Sequence, residues 1–285
     1  MVADGGDPLA DPDLARLDAV TQDIARFALD PSAAYPILPA AVAEIMNLAN
    51  RCDAPFREVD RVVRHDPVLA ARVLSVANSP LFRPPGPITS LRVALLRLGW
   101  TNLRSILLQA IAEAHVFPRG PRREIVTARL HAVAVAHIHR QLAQSLGLDG
   151  EHAFACGLLH DLGRPMLYAL LGTNEAPTLT KERKTEIVDV LHCHVGEHVA
   201  RRWVLPDIVT RVCRSHHDEP TSGSASQIGS TTLGISEALA ERCGLGSAPA
   251  LAPEAATALL RKLELGDAEL AALVERVVEL CRDLG

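Results

Sequence analysis

The sequence predicts an all-α protein, and three observations carry that expectation. The chain is 48% hydrophobic but only 3% aromatic, with Ala, Leu and Val dominant, whereas strands are enriched in β-branched and aromatic side chains. Nearly every apolar segment repeats at helical spacing, and none alternates as a half-buried strand would. The Pro- and Gly-rich stretches Pro84-Pro85-Gly86-Pro87 and Pro118-Arg119-Gly120-Pro121 fall between those segments, where they stop helices.

Taken in order, Leu14, Leu17, Val20, Ile24 and Phe27 form one stripe behind an Asp cap at Asp11 or Asp13. A second helix runs from Pro39 to about Asn50, with Pro39 in its first turn. Short helices follow near 56–64 and 67–78, the latter opened by Asp66-Pro67 and stopped at Asn78-Ser79, since Asn tolerates the left-handed conformation. Thr89 or Ser90 caps a helix that ends at Gly99, and Leu103, Ile106, Leu107, Ala110, Ile111 and Ala114 line the next. The break at 118–121 divides the chain into a lead-in (1–30), an N-terminal lobe (31–118) and a C-terminal lobe (119–285). In the last of these, helices are expected at 122–147 (closed by Gly147), 151–161, 164–171, 182–204, from Pro206 through His217, 229–243 and 254–264. Asp267 caps a final one with Leu270, Leu273, Val274, Val277, Cys281 and Leu284 on its stripe.

A net charge of −5 and a pI near 6.2 give no general attraction to nucleic acid or to an anionic membrane. No apolar run reaches the roughly 20 residues of a membrane span. The acidic, Gly- and Pro-containing N-terminus is unlike a secretory signal, and six cysteines without C-x-x-C spacing read as reduced thiols, so a cytoplasmic location is expected. Cys193 and Cys213 neighbour candidate ligands but read first as buried thiols.

The chemistry is concentrated in Gly157-Leu158-Leu159-His160-Asp161-Leu162-Gly163, an apolar helix end that stops on a His-Asp pair. A carboxylate in such surroundings needs a partner, and imidazole beside carboxylate is a natural ligand pair for a divalent cation. Eleven of the twelve histidines lie beyond the first quarter of the chain, which makes residues 119–240 the place to look for a site. His137, His139, His152 and His192 read as helix-surface residues, and His198 as a surface or supporting residue one turn after His194.

Two sets of residues carry a family resemblance. The first is Asp66-Pro67-x-Leu69, Leu74-x-x-Ala77-Asn78-Ser79, Ile88-x-Ser90, Ala94 and Leu98-Gly99. The second is His131, the Gly157–Gly163 segment, Glu186, His194-x-Gly196, Trp203-x-Leu205-Pro206 and His216-His217. In this order they resemble the HDOD domain, a bacterial signalling module related to metal-dependent HD phosphohydrolases, from about Pro36 to His217. The resemblance implies a two-lobed helical fold in which an N-terminal bundle packs on an HD-like bundle. It implies His131, His160 and Asp161 as ligands of a first metal, and His194, His216 and His217 as ligands of a second. The family's last ligand-bearing helix resembles Leu233–Leu239, where Glu237 stands at the usual Asp or Asn position.

Imidazole and carboxylate ligands suit Fe, Mn, Zn, Co or Ni, as one ion or two. The resemblance favours a regulatory module with little or no catalysis, acting on signalling partners or sensing a nucleotide second messenger; Ala-rich helix faces leave oligomers open. The alternative is a metal-dependent phosphohydrolase or phosphodiesterase with Asp161 at its centre. Arg164 is then the one phosphate-clamp candidate, where that branch carries Lys, and no Gly-Tyr-Pro follows His216-His217. A third reading is a protein-interaction scaffold with the histidines packed as relics.

Overall fold

The computed structural model describes residues 8–33, 35, 56–65, 67–79, 86–112, 116–117, 123–172, 179–218, 225–242, 244–245 and 275. Among the described residues there are helices and turns and no strand, so the fold is all-α. The expected helices near 39–50 and 254–264, the helix capped by Asp267, the cap at Asp66 and the Pro118–Pro121 break lie outside the described residues.

The lead-in differs from the single stripe expected of it. Asp11 caps a short helix α1 (Pro12–Ala15), the chain turns, and Asp18 caps α2 (Ala19–Ala28). Two Asx caps so close together restart the helix, because each side chain satisfies amide donors that a continuous helix would bond internally. The restart turns the stripe: Leu14 and Ile24 are buried, whereas Val20 and Phe27 are each 43% exposed.

Helices α3 (Phe56–His65), α4 (Pro67–Ala77) and α5 (Leu91–Ile111) follow. The stop expected at Gly99 is present as a bend inside α5, where φ is 70°. Asn78 ends α4 through its side chain and not through a left-handed backbone, since Val204 is the only non-glycine with positive φ among the described residues. Its amide donates to Leu74 O (2.8 Å) and Ile88 O (2.9 Å), and its carbonyl accepts from Ile88 N (2.7 Å), tying the end of α4 to Ile88. Asn78→Ala should therefore cost about 1–2 kcal/mol, less than three buried hydrogen bonds would, because water replaces part of the loss. A shift in urea midpoint measures it; an unchanged midpoint would mean that the clamp adds nothing in solution.

The C-terminal part comprises α6 (Arg123–Ser145), α7 (Gly150–Leu159), α8 (Gly163–Leu170), α9 (Lys181–Arg202), α10 (Asp207–Ser215) and α11 (Ala225–Arg242). Gly147, at φ 70°, closes α6 as expected. Asp149 accepts from the amides of Glu151 and His152 to start α7, and Thr180 caps α9. A Cβ on Gly157 would lie 2.7 Å from Ala136 Cα, so glycine lets α7 settle against α6. Val204, at φ 54° and 87% exposed, turns the chain from α9 towards α10 in a conformation unfavourable to a β-branched residue.

One continuous apolar core runs from Leu14 and Ile24 through Leu95 and Leu107 to Leu162, Val195 and Cys213, joining lead-in, α3–α5 and α6–α10. A second core joins α6 to α11 through Ile138, Leu142, Leu233 and Leu239. A buried polar joint adds specificity between α5 and the later helices. Glu151 accepts from Ser105 Oγ (2.9 Å) and pairs with Arg140 (2.9 Å), which also donates to Asn102 Oδ1 (3.3 Å). The lead-in docks on the later helices as well, with Asp18 paired to Arg183 (2.5 Å) and Arg202 donating to Ala33 O (2.7 Å).

Candidate metal centre

His160 is the C-cap of α7 and Asp161 lies in the turn before α8, so the helix expected through residue 161 stops earlier and turns the pair into the interior. Helix α6 contributes His131, α9 contributes His192, the end of α10 contributes His216 and His217, and α11 contributes Glu237. Potential ligand atoms of His131, His160 and Glu237 lie within 4.8 Å of one another, as do those of His160, Asp161 and His216. A third such group is His192, Cys193, His216 and His217.

Four of these imidazoles are held alike. The Nδ1 atoms of His131, His160, His192 and His216 donate to the carbonyls of Leu245 (2.8 Å), Gly157 (2.8 Å), Asp189 (2.8 Å) and Val212 (3.1 Å). A carbonyl can only accept, so the proton sits on Nδ1 and the Nε2 lone pair is left to point elsewhere. For His192 and His216 that atom approaches Asp161 Oδ1, at 3.5 and 3.8 Å. For His160 it lies 3.2 Å from Glu237 Oε1 and 4.0 Å from Asp161 Oδ2. The buried Nε2 atoms of His160 and His216 make no hydrogen bond. Backbone-fixed tautomers with unsatisfied Nε2 atoms beside two carboxylates are the donor set that a divalent transition metal takes, and the residues fit one.

Burial opposes charge throughout the centre. It lowers His131, lowers His192 to about 4 and lowers His216 to about 3, keeping these rings neutral near pH 7. His160 shifts upward despite its burial because Glu237 stands beside it, and Glu237 in turn falls to about 2 despite its own burial. Asp161 is fully desolvated, which raises a carboxyl, yet Arg164 and the surrounding imidazoles together hold it well below the usual carboxylate range. Arg164 is buried, with Nε 2.8 Å from Asp161 Oδ2 and a terminal nitrogen 2.5 Å from Asp189 Oδ1.

His131, His160, Asp161, His216, His217 and Glu237 are thus brought together, with Arg164 at the edge of the group. His194 is not. It follows His192 by two residues, about 200° around the helix, and its Nε2 meets Asp11 Oδ2 in the lead-in at 3.1 Å. Its place in the cluster is taken by His192, which is buried, as is His139, whose Nε2 meets Thr232 Oγ1 at 3.0 Å; neither is the surface residue expected. His137 is half-buried with its ring edge-on to Phe154, and His152 is exposed. The signal for His192 was present in the sequence: Val188, Leu191, Val195, Gly196 and Val199 repeat at helical spacing on its face of α9 and are buried with it. His194 shares its face with Glu197 and Arg201 instead. Asp189 was also missed, although it lies one turn before His192. Cys213 donates to Leu159 O (3.1 Å) as a buried thiol, but Cys193 stands at the centre, its Sγ 3.4 Å from His192 Nε2.

A cavity of about 390 Å³ borders His216, half of its lining residues apolar and the others including His139, Asp149, His152, Arg211 and Thr232. Its size suits a small molecule.

An all-helical bundle that gathers a His-Asp pair and further imidazoles in this way defines a relative of the HD phosphohydrolases. More narrowly, the chain belongs to the HDOD domain family, whose sequence profile matches residues 35–219. Its fold is similar to that of an HDOD domain protein of unknown function from Geobacter sulfurreducens, with TM-score 0.71, 23% identity, and 97% and 99% of the two chains covered. It is also similar to a Shewanella amazonensis SB2B protein thought to be a metal-dependent phosphohydrolase (TM-score 0.68, 16% identity, 94% and 99% covered). Among curated sequences, an uncharacterized protein of Treponema pallidum is 24% identical over 196 residues, 65% of this chain and 38% of that protein. Ribonuclease Y of Aquifex aeolicus is 33% identical over 90 residues, 32% of this chain and 13% of the ribonuclease. This chain therefore spans well under half of either curated relative. No helix among the described residues is long and apolar enough to cross a membrane.

Proposed function

We propose that the chain is a bacterial signalling module, cytoplasmic in location, that senses a ligand through its HD-like centre and passes that state to protein partners without turning over a substrate. The observation that carries this reading is the pair Arg164–Asp161. Asp161 is the carboxylate that would bridge two metals in a hydrolytic centre, and here a buried guanidinium 2.8 Å away already compensates it. Arg164 is shared between Asp161 and Asp189, and Glu237 stands 3.2 Å from His160 Nε2, so each carboxylate of the centre already has a nitrogen partner.

His131, His160, Asp161 and Glu237 would hold one divalent ion, of Fe, Mn, Zn, Co or Ni, and His192, His216 and His217 would stand ready for another. Bound metal supplies Lewis acidity and an acidified water, and two together favour phosphoester hydrolysis. The chain's own part is to fix each imidazole through its Nδ1–H, to keep Asp161 ionised beside Arg164 and to hold the centre out of bulk water. A ligand in the cavity would touch His216 and so reach the centre directly. A nucleotide second messenger fits this reading, with a base for the apolar walls and phosphate for Arg211. A Marinobacter aquaeolei protein of similar fold (TM-score 0.64, 20% identity), thought to act in signal transduction, is consistent with a regulatory role.

The second reading, a metal-dependent phosphohydrolase, is favoured by the four oriented imidazoles. One experiment separates the two: load the protein with Mn or Fe, count metal by mass spectrometry, and assay cyclic dinucleotides and bis(4-nitrophenyl) phosphate against Asp161→Ala. The expected result is metal in the wild type, loss of it in the variant, and phosphodiester turnover indistinguishable between them. Turnover that depends on both metal and Asp161 would establish the hydrolase instead. No metal in either protein would leave the histidines as packed relics.

A further inference from the structure

We infer that Cys193 is a metal ligand, and that with His192, His216 and His217 it forms a closed, zinc-type site of one sulfur and three nitrogens beside the oxygen-containing set. The inference rests on the reading that the centre binds metal, and concerns which metal the outer half selects. The inner donors, His131, His160, Asp161 and Glu237, offer nitrogen and oxygen only. The outer group replaces carboxylate with a thiol, and all four of its potential ligand atoms lie within 4.8 Å of one another.

The separations are close to those of one tetrahedron. His192 Nε2 lies 3.0 Å from His217 Nε2 and 3.4 Å from Cys193 Sγ, and that sulfur is 3.9 Å from His216 Nδ1, which would exchange its 3.1 Å contact with Val212 O for the metal as its proton moves to Nε2. Metal–nitrogen bonds of about 2.0–2.1 Å and a metal–sulfur bond of about 2.3 Å give tetrahedral edges of roughly 3.3–3.6 Å, so shifts of a few tenths of an ångström suffice. The buried His216 Nε2 makes no hydrogen bond and lies 3.8 Å from Asp161 Oδ1, so with Nδ1 on the metal its N–H would face a carboxylate, the usual support of a ligating imidazole.

Donor chemistry then sorts the metals. Thiolate with imidazole favours zinc, whereas manganese and magnesium prefer oxygen ligands. On binding, the S–H bond breaks, the proton leaves to solvent and a metal–sulfur bond forms. Four protein ligands leave no open position for water, which is the pattern of a structural site and not of a catalytic one. The second metal position of the fold would thus serve to clamp α9 to the end of α10.

Cobalt(II) tests this in the full chain, because it takes zinc sites and reports its ligands by absorption. The expected result is a thiolate-to-cobalt charge-transfer band in the near ultraviolet, displaced by zinc, absent in Cys193→Ser and retained in Cys156→Ala. Zinc affinity of the outer site should fall more than about 100-fold in Cys193→Ser, since losing a ligand exceeds the usual loss of a supporting residue. Should the variant misfold, alkylation of the wild type decides: Cys193 should react in metal-free protein and be protected by one equivalent of zinc. Cobalt bound without the band, a band that survives in Cys193→Ser, or alkylation indifferent to zinc would overturn the assignment and leave the metal centre standing. A wild type that binds no cobalt at all would remove both.

Discussion

Gly163→Ala should lower the unfolding midpoint by about 5–10 °C and abolish metal binding, the largest effect expected of any single methyl group here. A Cβ on Gly163 would lie 1.9 Å from the carbonyl oxygen of His192, 2.7 Å from its carbonyl carbon and 2.8 Å from Gly196 N. All three are backbone atoms, so no rotamer change relieves the clash and α8 must move away from α9. Overpacking of side chains costs about 1–3 kcal/mol, and a clash against a helix backbone belongs at the upper end of that range or beyond it. The displaced helices carry Arg164 on one side and Asp189 and His192 on the other, so their separation would open the Arg164–Asp189 pair and draw His192 from Asp161. Gly86→Ala is the control, since a Cβ there meets nothing within 4 Å. Calorimetry and metal counting on both variants check the claim; a Gly163→Ala protein with wild-type midpoint and metal content would show that the helices are not in such close contact.

The close contact also explains which parts of the site could be read in the sequence. Two helix ends were legible because their signals are local: Gly147 closes α6 and Gly99 bends α5 where stops were expected, whereas the caps Asp149 and Thr180 went unread. The His160-Asp161 pair was legible for the same reason, lying at an apolar helix end that had to satisfy it. The choice of His192 over His194 depends on which face of α9 turns inward. The periodicity of Val188, Leu191, Val195 and Val199 marks that face, whereas the close approach of Gly163 to Gly196 that seats it is announced by no spacing. The family motif drew attention to His194-x-Gly196, whereas the apolar periodicity of α9 pointed to His192. Asp189 was hidden because its partner, Arg164, is 25 residues away in sequence. Asp11 and Asp13 were read as alternative caps of one helix; Asp11 caps the first of two, and Asp18, which caps the second, went unread.

Asp161→Asn should destabilise the protein by about 3–5 kcal/mol, and Arg164→Met should recover a large part of that loss in the double variant. The asparagine keeps the shape of Asp161 but removes its charge, leaving a guanidinium that is 2% exposed with Asp189 as its remaining anion. Asp189 is 34% exposed at its side chain and pairs with a different nitrogen of Arg164, so it cannot replace the lost contact at Nε. Breaking a buried pair from one side costs more than removing both partners, because the orphaned charge retains its desolvation penalty. A double-mutant cycle by urea denaturation of metal-free protein measures the coupling, which should be on the order of 2 kcal/mol or more. Metal binding gives the cycle a functional reading. If Arg164 stands in for a cation at Asp161, Arg164→Met alone should bind divalent metal more tightly than wild type, because Asp161 would then lack a guanidinium beside it. Weaker binding in Arg164→Met would mean that Arg164 positions Asp161 for the metal, as an enzyme requires, and the regulatory reading would lose its main support.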